Sequence, residues 1–543
     1  MAECSVYCSD SGYIWKGKDS TCEPLTNSLG ILLLKRLQER QNEIFTIDPD
    51  TDTTYTCGEI RELAVRCAIE LRSRGLKKGD VITICVKNHR YSTVPFLAAI
   101  FLGVTVSVMH EIFNKREMER LLVLFNSKMI ICDSNVQQKL QEVCDEMNLK
   151  IPVALSDTDF ENNFCKRSDL ETNFEAVDVD VDKDILILLC SSGTTGFMKG
   201  IGHTHKTFYH AVCDTSHVIN KDDRFLSYSP LVWNSQAWQI ICTVLFGSIR
   251  IAANWTNSTN ALKFIKKYKV NYMISNPNKF MDICTNPNFE DYPEVKNLRV
   301  AWTRGSPNTE EQMHFYRSKL PKTHVMNAIG CTEMSMMIAY FDSVTEYELN
   351  KSKVWSVGRL CPGVQAKIVD TATRTKSLGP NQEGELLLKA KCMFSGYYLN
   401  PDATKNAFTD DGWYITGDLA KFDDDQCLYI VGRLKEILKY NAIMISPSEI
   451  EYIINQHPAV KDSCVMGFPH PISGDLPLAF VVKHPDVQLT EDDVIKLVEK
   501  NGSDPQRLRG GVVFLPTLPY TATGKIRKSE LKKVIEELVA KRT

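Results

Sequence analysis

Helical and strand patterns alternate through the first third of this chain, and few folds accommodate that rhythm. Residues Gly58 to Arg74 (GEIRELAVRCAIELRSR) carry apolar side chains at helical spacing, GLKKGD turns the chain, and VITICV reads as a buried strand. The order recurs through LLVLFNSKMIICD and on to ILILLC. Strands that are apolar on both faces, joined through amphipathic helices, are satisfied in sheets covered by helices. The expectation is therefore α/β, with a large domain of doubly wound parallel sheets. From Gly358 to Tyr397 the texture changes to short strands, VQAKIVD and GELLLKA, between Gly/Pro turns, which predicts a small antiparallel or barrel-like subdomain.

A chain of 543 residues exceeds what one compact core holds. The expected division is 1–432, then a smaller α+β domain at 433–543. Ser446-Pro447-Ser448-Glu449 predicts a helix start, with an N-cap serine, proline in the first turn and glutamate closing a capping box. Ile450, Ile453 and Ile454 would line its buried face. The tail SELKKVIEELVAKRT predicts another helix, apolar at Leu531, Val534, Ile535 and Leu538.

Composition excludes several classes. A net charge of −3 favours neither nucleic acid nor an anionic membrane. The longest apolar run, Val94 to Met109, is shorter than the ~20 residues of a membrane helix and holds Pro95, Gly103 and Thr105. It reads as a buried helix passing into a strand. The 18 cysteines show no CxxC pair and no zinc spacing, and the N-terminus lacks a signal-peptide core. An intracellular protein with reduced thiols is expected, with no transmembrane segment.

One stretch buries little and offers much polar chemistry: CSSGTTGFMKG, Cys190 to Gly200. It is neither a Walker A loop, since Lys199 precedes glycine, nor a GxGxxG fingerprint. Gly193 and Gly196 let the backbone approach an anion, and Ser191, Ser192, Thr194 and Thr195 can donate to phosphate oxygens. Taken alone, it leaves a flexible surface turn as the lesser alternative.

This stretch closely resembles the phosphate loop of the adenylate-forming superfamily, which includes acyl-CoA synthetases, aryl-CoA ligases, luciferases and peptide-synthetase adenylation domains. GCTE (Gly330 to Glu333) resembles the family's GxTE segment, YITGDLAKFDDDQCLYIVGRLKEILKY its ribose-binding and hinge region, and YTATGKIRK its terminal lysine loop. Four segments in order across almost the whole chain carry the resemblance, which is nearest to insect luciferase-like acyl-CoA synthetases.

The resemblance implies that ATP and a carboxylic acid, a medium- or long-chain fatty acid, give an acyl-adenylate, which coenzyme A then captures with release of AMP. An aryl or other specialised acid, or a catalytically weakened binding paralogue, is the alternative. By position, the loop Ser191 to Lys199 would grip phosphates, Thr332 would touch the α-phosphate and Glu333 would hold Mg²⁺. Gly305, Ser306 and Ile329 would border the nucleotide, Asp418 would bind the ribose and Arg433 the ribose or phosphate. Lys525 would be the catalytic lysine of a mobile small domain, Lys435 its hinge, and Lys439 a group presented for the thiol step. His205, Trp233, Arg304, Met336 and Met337 would line the acid pocket. By themselves Lys199 and Lys525 read as solvated charges, Asp418 as a turn cap, and Cys331 as a small apolar filler.

The chain also departs from the family. Met198 replaces a proline in the loop, Ile329 an adenine-stacking aromatic, Trp233 a histidine of the luciferases, and Arg304 a glycine. Lys-Tyr-Asn-Ala at 439–442 replaces a glycine-containing turn. Arg304 would shorten the acid tunnel or meet a polar or anionic end of the acid. The terminal Lys541-Arg542-Thr543 is not the peroxisomal Ser-Lys-Leu carried by many relatives, so the expectation is cytoplasmic.

Overall fold

The alternating pattern builds two seven-stranded sheets. A computed structural model describes residues 5–9, 12–191, 199–304, 308, 310–335, 337–343, 345–441, 443–470, 473–521 and 525–542. In one sheet Ile185–Ser191, Thr105–Val108, Val81–Cys85, Met129–Cys132 and Val153–Leu155 run parallel, and Lys199–Thr204 and Gly396–Tyr397 close one edge antiparallel. In the other, His324–Asn327, Val300–Thr303, Tyr272–Ser275, Arg224–Ser227, Ile249–Ile251 and Ile44–Asp48 are parallel, with Thr53–Thr56 antiparallel at the edge.

Period-two alternation assigns each strand's side chains to two cores. Tyr272, Ile274, Val300 and Trp302 join the large core that also holds Ile82, Ile84 and Val106 of the other sheet. Met273, Ala301 and Val325 point the other way, against the helices Ser258–Tyr268, Pro277–Cys284 and Glu310–Lys319. Thr56 starts the helix Cys57–Ser73 with a complete capping box: its hydroxyl accepts from the Glu59 amide, and the Glu59 carboxylate accepts from its own. The run Val94 to Met109 is a helix, Val94–Phe101, followed by the strand Thr105–Val108. No helix among the described residues is long and apolar enough to cross a membrane.

The β-rich region forms a six-stranded antiparallel sheet that begins elsewhere in the chain. The hairpin Ser5–Ser9 and Gly12–Lys16 pairs through Lys16 and Trp15 with Gln365 and Ala366, and the sheet continues through Gly384–Lys389, Tyr414–Phe422 and Leu428–Arg433. Trp15 stacks on Phe422 with ring centres 4.6 Å apart, sealing the hairpin onto it.

From Leu438 onward the chain packs around its own sheet, with Ile445, Ile450 and Ile454 in one core and Leu531 and Ile535 in another. The helix Pro447–Asn455 starts without the expected capping box. The Ser446 hydroxyl instead donates to the carbonyl of Val431 at 2.7 Å, and the Glu449 carboxylate accepts from Gln506. A long-range bond of the same strength displaces the local one.

Candidate functional site

The polar segments converge where strands end. Ile185–Ser191 and Lys199–Thr204 are antiparallel neighbours, with Lys199 opposite Ser191. Ser192, Gly193, Thr194, Thr195 and Gly196 lie outside the described residues, as do Gly305, Ser306, Met336 and Ala442.

Lys199 lays its ammonium over the ring of Tyr397, 4.3 Å from the centre. The same tyrosine donates its hydroxyl to Glu333 Oε1 at 3.1 Å. Burial, then the charge of Glu333, pushes that phenol well above its ordinary value, so it remains a donor. Thr332 and Glu333 lie in the single turn Thr332–Met334, which His203 holds from below. Its Nε2 bonds the Thr332 carbonyl at 2.7 Å and its Nδ1 meets Ser335 Oγ at 2.5 Å. Burial lowers the His203 pKa to about 4, so the ring is a neutral strut.

The second half of the site is built on the six-stranded sheet. Gly417 takes φ +71°, open to glycine at little cost, between Thr416 and Asp418. Asp418 is buried, and the Arg433 Nε lies 2.7 Å from its Oδ1. Arg433 also donates to the Thr416 carbonyl at 3.0 Å, which fixes the fork. Burial raises the Asp418 pKa to about 6, against the opposing pull of Arg433 and then Lys525.

Lys525 comes from the small domain. Burial, then the neighbouring Arg433 charge, lowers its pKa, while Glu333 and Asp418 work the other way. The two domains also touch through Tyr452, which packs edge-on against Trp355 with ring centres 4.6 Å apart and donates to Glu311 Oε1 at 3.2 Å. Thus Lys199, Glu333, Asp418, Arg433 and Lys525 share one neighbourhood, drawn from positions spread over 327 residues (525 − 199 + 1).

Other expected residues lie differently. His205 is tied elsewhere: its Nδ1 accepts from the Leu29 amide at 3.2 Å, at the start of the helix Leu29–Glu39, and burial lowers its pKa to about 4. The strand ends at Thr204 and a helix begins at His205, and the ring turns towards the helix Leu29–Glu39. Met337 is packed in the large core, Ile329 borders it, and Trp233 lies against it with a buried, unpartnered indole N–H. Cys331 is a thiol that burial pushes far up, which suits a filler and not a nucleophile. Lys435 is exposed in the turn after Arg433. Lys439 is exposed on the strand Leu438–Tyr440, with its amide donating to Asp475. Sequence reasoning missed His203 and Tyr397. The signal for Tyr397 was weak, a tyrosine in a Gly/Pro-punctuated β segment, 64 residues from its partner Glu333.

Magnesium needs hard oxygen donors, and in nucleotide sites it takes one or two carboxylates plus the phosphates. Glu333, oriented by Tyr397 beside Lys199, fits that donor set. Among the described residues no cluster of three or more metal-ligating side chains forms a cage, so an ion would have to share its coordination with the nucleotide.

Comparison with known proteins gives a consistent result. The AMP-binding enzyme family model matches residues 33–398, and the AMP-binding enzyme C-terminal domain matches 449–525. A 4-coumarate–CoA ligase 3 of Oryza sativa subsp. japonica is 29% identical over 496 residues, covering 90% of this chain and 88% of the relative. The luciferin 4-monooxygenase of Photinus pyralis is 28% identical, with 92% and 93% covered. Among solved structures, the luciferase-like enzyme of the nonluminescent mealworm Zophobas morio aligns at a TM-score of 0.74 and 27% identity, covering 78% of this chain and 99% of that one. ATP-bound MatB of Rhodopseudomonas palustris aligns at 0.83 and 21% identity, with 93% and 99% covered, a likeness of fold.

Proposed function

Because the chain belongs to the AMP-binding enzyme family, we propose that it activates a carboxylic acid with ATP and transfers the acyl group to coenzyme A. In the first half-reaction a carboxylate oxygen attacks the α-phosphorus, forming the acyl-adenylate and expelling pyrophosphate. In the second, the thiolate attacks the acyl carbon and AMP leaves. The observation that carries the reading is the placing of Lys525, from the small domain, within the field of Glu333, Asp418 and Arg433.

Asp418 accepts hydrogen bonds from the ribose hydroxyls, and Arg433 holds its carboxylate in place. Lys199 and the stretch Ser191 to Gly196 bind the outer phosphates, and Thr332 positions the α-phosphate. Lys525 supplies positive charge where negative charge grows on the α-phosphate and carboxylate oxygens, which lowers the barrier only as that charge develops. Glu333, aimed by Tyr397, would hold Mg²⁺, which would offset the negative charge of the phosphates.

We place the domain boundary at 432/433, with Lys435 as the hinge about which the small domain turns before thiolation and Lys439 presented in the second pose. The acid is a medium- or long-chain fatty acid in the first instance. An aryl acid is the second reading, favoured by the 4-coumarate–CoA ligases among the relatives. The protein works inside the cell, where ATP and coenzyme A are supplied. AMP release from Mg-ATP with fatty acids of graded length and with 4-coumarate, each with and without coenzyme A, tests the reading. CoA-dependent AMP release is expected with one acid class, and its absence with every acid would reject a CoA ligase.

A further inference from the structure

A buried guanidinium normally has its hydrogens accounted for. Arg250, 1% exposed, donates to Asn88 Oδ1 at 3.0 Å, to Ser92 Oγ at 3.2 Å and to Thr46 Oγ1 at 3.4 Å, whereas Arg304 is part-buried. Arg299 pairs with Asp223. Arg299 Nε and Arg304 Nη1 are both buried without a hydrogen-bond partner, but Arg304 also has no carboxylate paired with it among the described residues. Its charge lies near the ring of Trp302, 5.9 Å away, the Tyr272 phenol and the Cys361 thiol. A part-buried cation with no counter-charge costs the fold something, so its retention calls for a partner that arrives later.

Position says where that partner would lie. The Arg304 amide donates to the Ser275 carbonyl at 3.0 Å, extending the pairing of Val300–Thr303 with Tyr272–Ser275 by one residue. Arg304 therefore sits at the carboxyl end of its strand, on the Trp302 side, facing the core between the two large sheets. Thr303 pairs with Asn327 of the next strand, and the chain leaving Asn327 is the segment Ile329–Glu333 that carries Thr332 and Glu333. Neighbouring strands are ~4.8 Å apart, so Arg304 stands one strand from the catalytic turn, on the edge where open α/β sheets bind ligands.

We propose that Arg304 binds a second carboxylate on the substrate, so that the acid is a dicarboxylate, activated at one end and held at the other. This rests on the ligase reading above and narrows its substrate class. A guanidinium fork matches a carboxylate bidentately. An acid ending in a methyl group would leave the cation unpaired.

The test compares matched acids, hexanoate with hexanedioate and decanoate with decanedioate, in CoA-dependent AMP release by the wild type, Arg304→Met and Arg304→Lys. Binding of decanedioate and decanoate without ATP is measured by titration calorimetry. The wild type should favour the diacid of a pair by roughly 10- to 100-fold in kcat/KM, the worth of one charge-assisted pair. Arg304→Met should reverse that preference, Arg304→Lys should keep part of it, and Arg304→Met should melt no lower than the wild type because it removes an unpaired charge. Equal use of both acids, or a ratio unmoved in Arg304→Met, overturns the inference while leaving the ligase intact. If no acid is turned over but decanedioate still binds the wild type and not Arg304→Met, the inference stands and the ligase reading falls. Neither turnover nor diacid binding would overturn both.

Discussion

Replacing Asp418 with asparagine should make the protein more stable and less able to use ATP. Burial lifts the Asp418 pKa from 3.8 to about 6 even with Arg433 and Lys525 nearby. Between about pH 4 and pH 6 the folded chain therefore holds a proton that the unfolded chain has released, and stability falls as pH rises through that window. Above it, the ionised carboxylate costs the fold about 3 kcal/mol, from about two pKa units at 1.36 kcal/mol each. Asp418→Asn removes that cost while keeping the side chain's shape. Arg433 remains partly in water, its side chain 45% exposed, and tolerates the loss. The variant should match the wild type near pH 4 and melt a few degrees higher at pH 7. Its KM for ATP should rise roughly 100-fold, since each hydrogen bond to a charged group contributes about 1.5–3 kcal/mol. Thermal melts at both pH values, paired with ATP titrations, measure both effects. Equal melting temperatures at pH 7, or unchanged ATP use, would refute the view that Asp418 is kept charged for its ligand at the expense of the fold.

Other perturbations separate the remaining roles. Lys525→Ala should lower acyl-adenylate formation by at least roughly 100-fold, the scale of one lost transition-state donor, yet spare thiolation of a supplied acyl-adenylate; equal loss in both half-reactions of a folded variant would contradict the two-pose assignment. Tyr397→Phe leaves Glu333 without its phenol donor and should cost roughly 10-fold in kcat/KM with a raised magnesium requirement, read from a metal titration. Chelation of divalent ions should stop adenylation, and added Mg²⁺ should restore it; undiminished turnover in excess chelator would remove Glu333 from that role.

The sheets and helices were legible where a strand such as Val81–Cys85 buries both faces and a helix such as Ser258–Tyr268 buries one, a contrast that survives in the residue order. The hairpin at Ser5–Lys16 was not, because its partner Gln365 lies some 350 residues on and no local pattern announces the pairing. The capping box at Ser446 shows the reverse case, a local signal overridden by the carbonyl of Val431. In the site, residues within the recognisable segments, Lys199, Glu333, Asp418, Arg433 and Lys525, do share one neighbourhood. His203 and His205 stand two apart in GHTHK, and only the change from strand to helix at Thr204 decides which one supports the catalytic turn. Tyr397 earns its place solely through folding, by linking Lys199 to Glu333.

The central claim is that this constellation forms an acyl-adenylate. Acid-dependent exchange of labelled pyrophosphate into ATP tests it most directly, because the exchange needs only the first half-reaction run in both directions. The account predicts exchange that requires Mg²⁺ and a carboxylic acid, needs no coenzyme A, and disappears in Lys525→Ala. Absence of exchange across monocarboxylic, dicarboxylic and aryl acids in a folded, ATP-binding protein would contradict it.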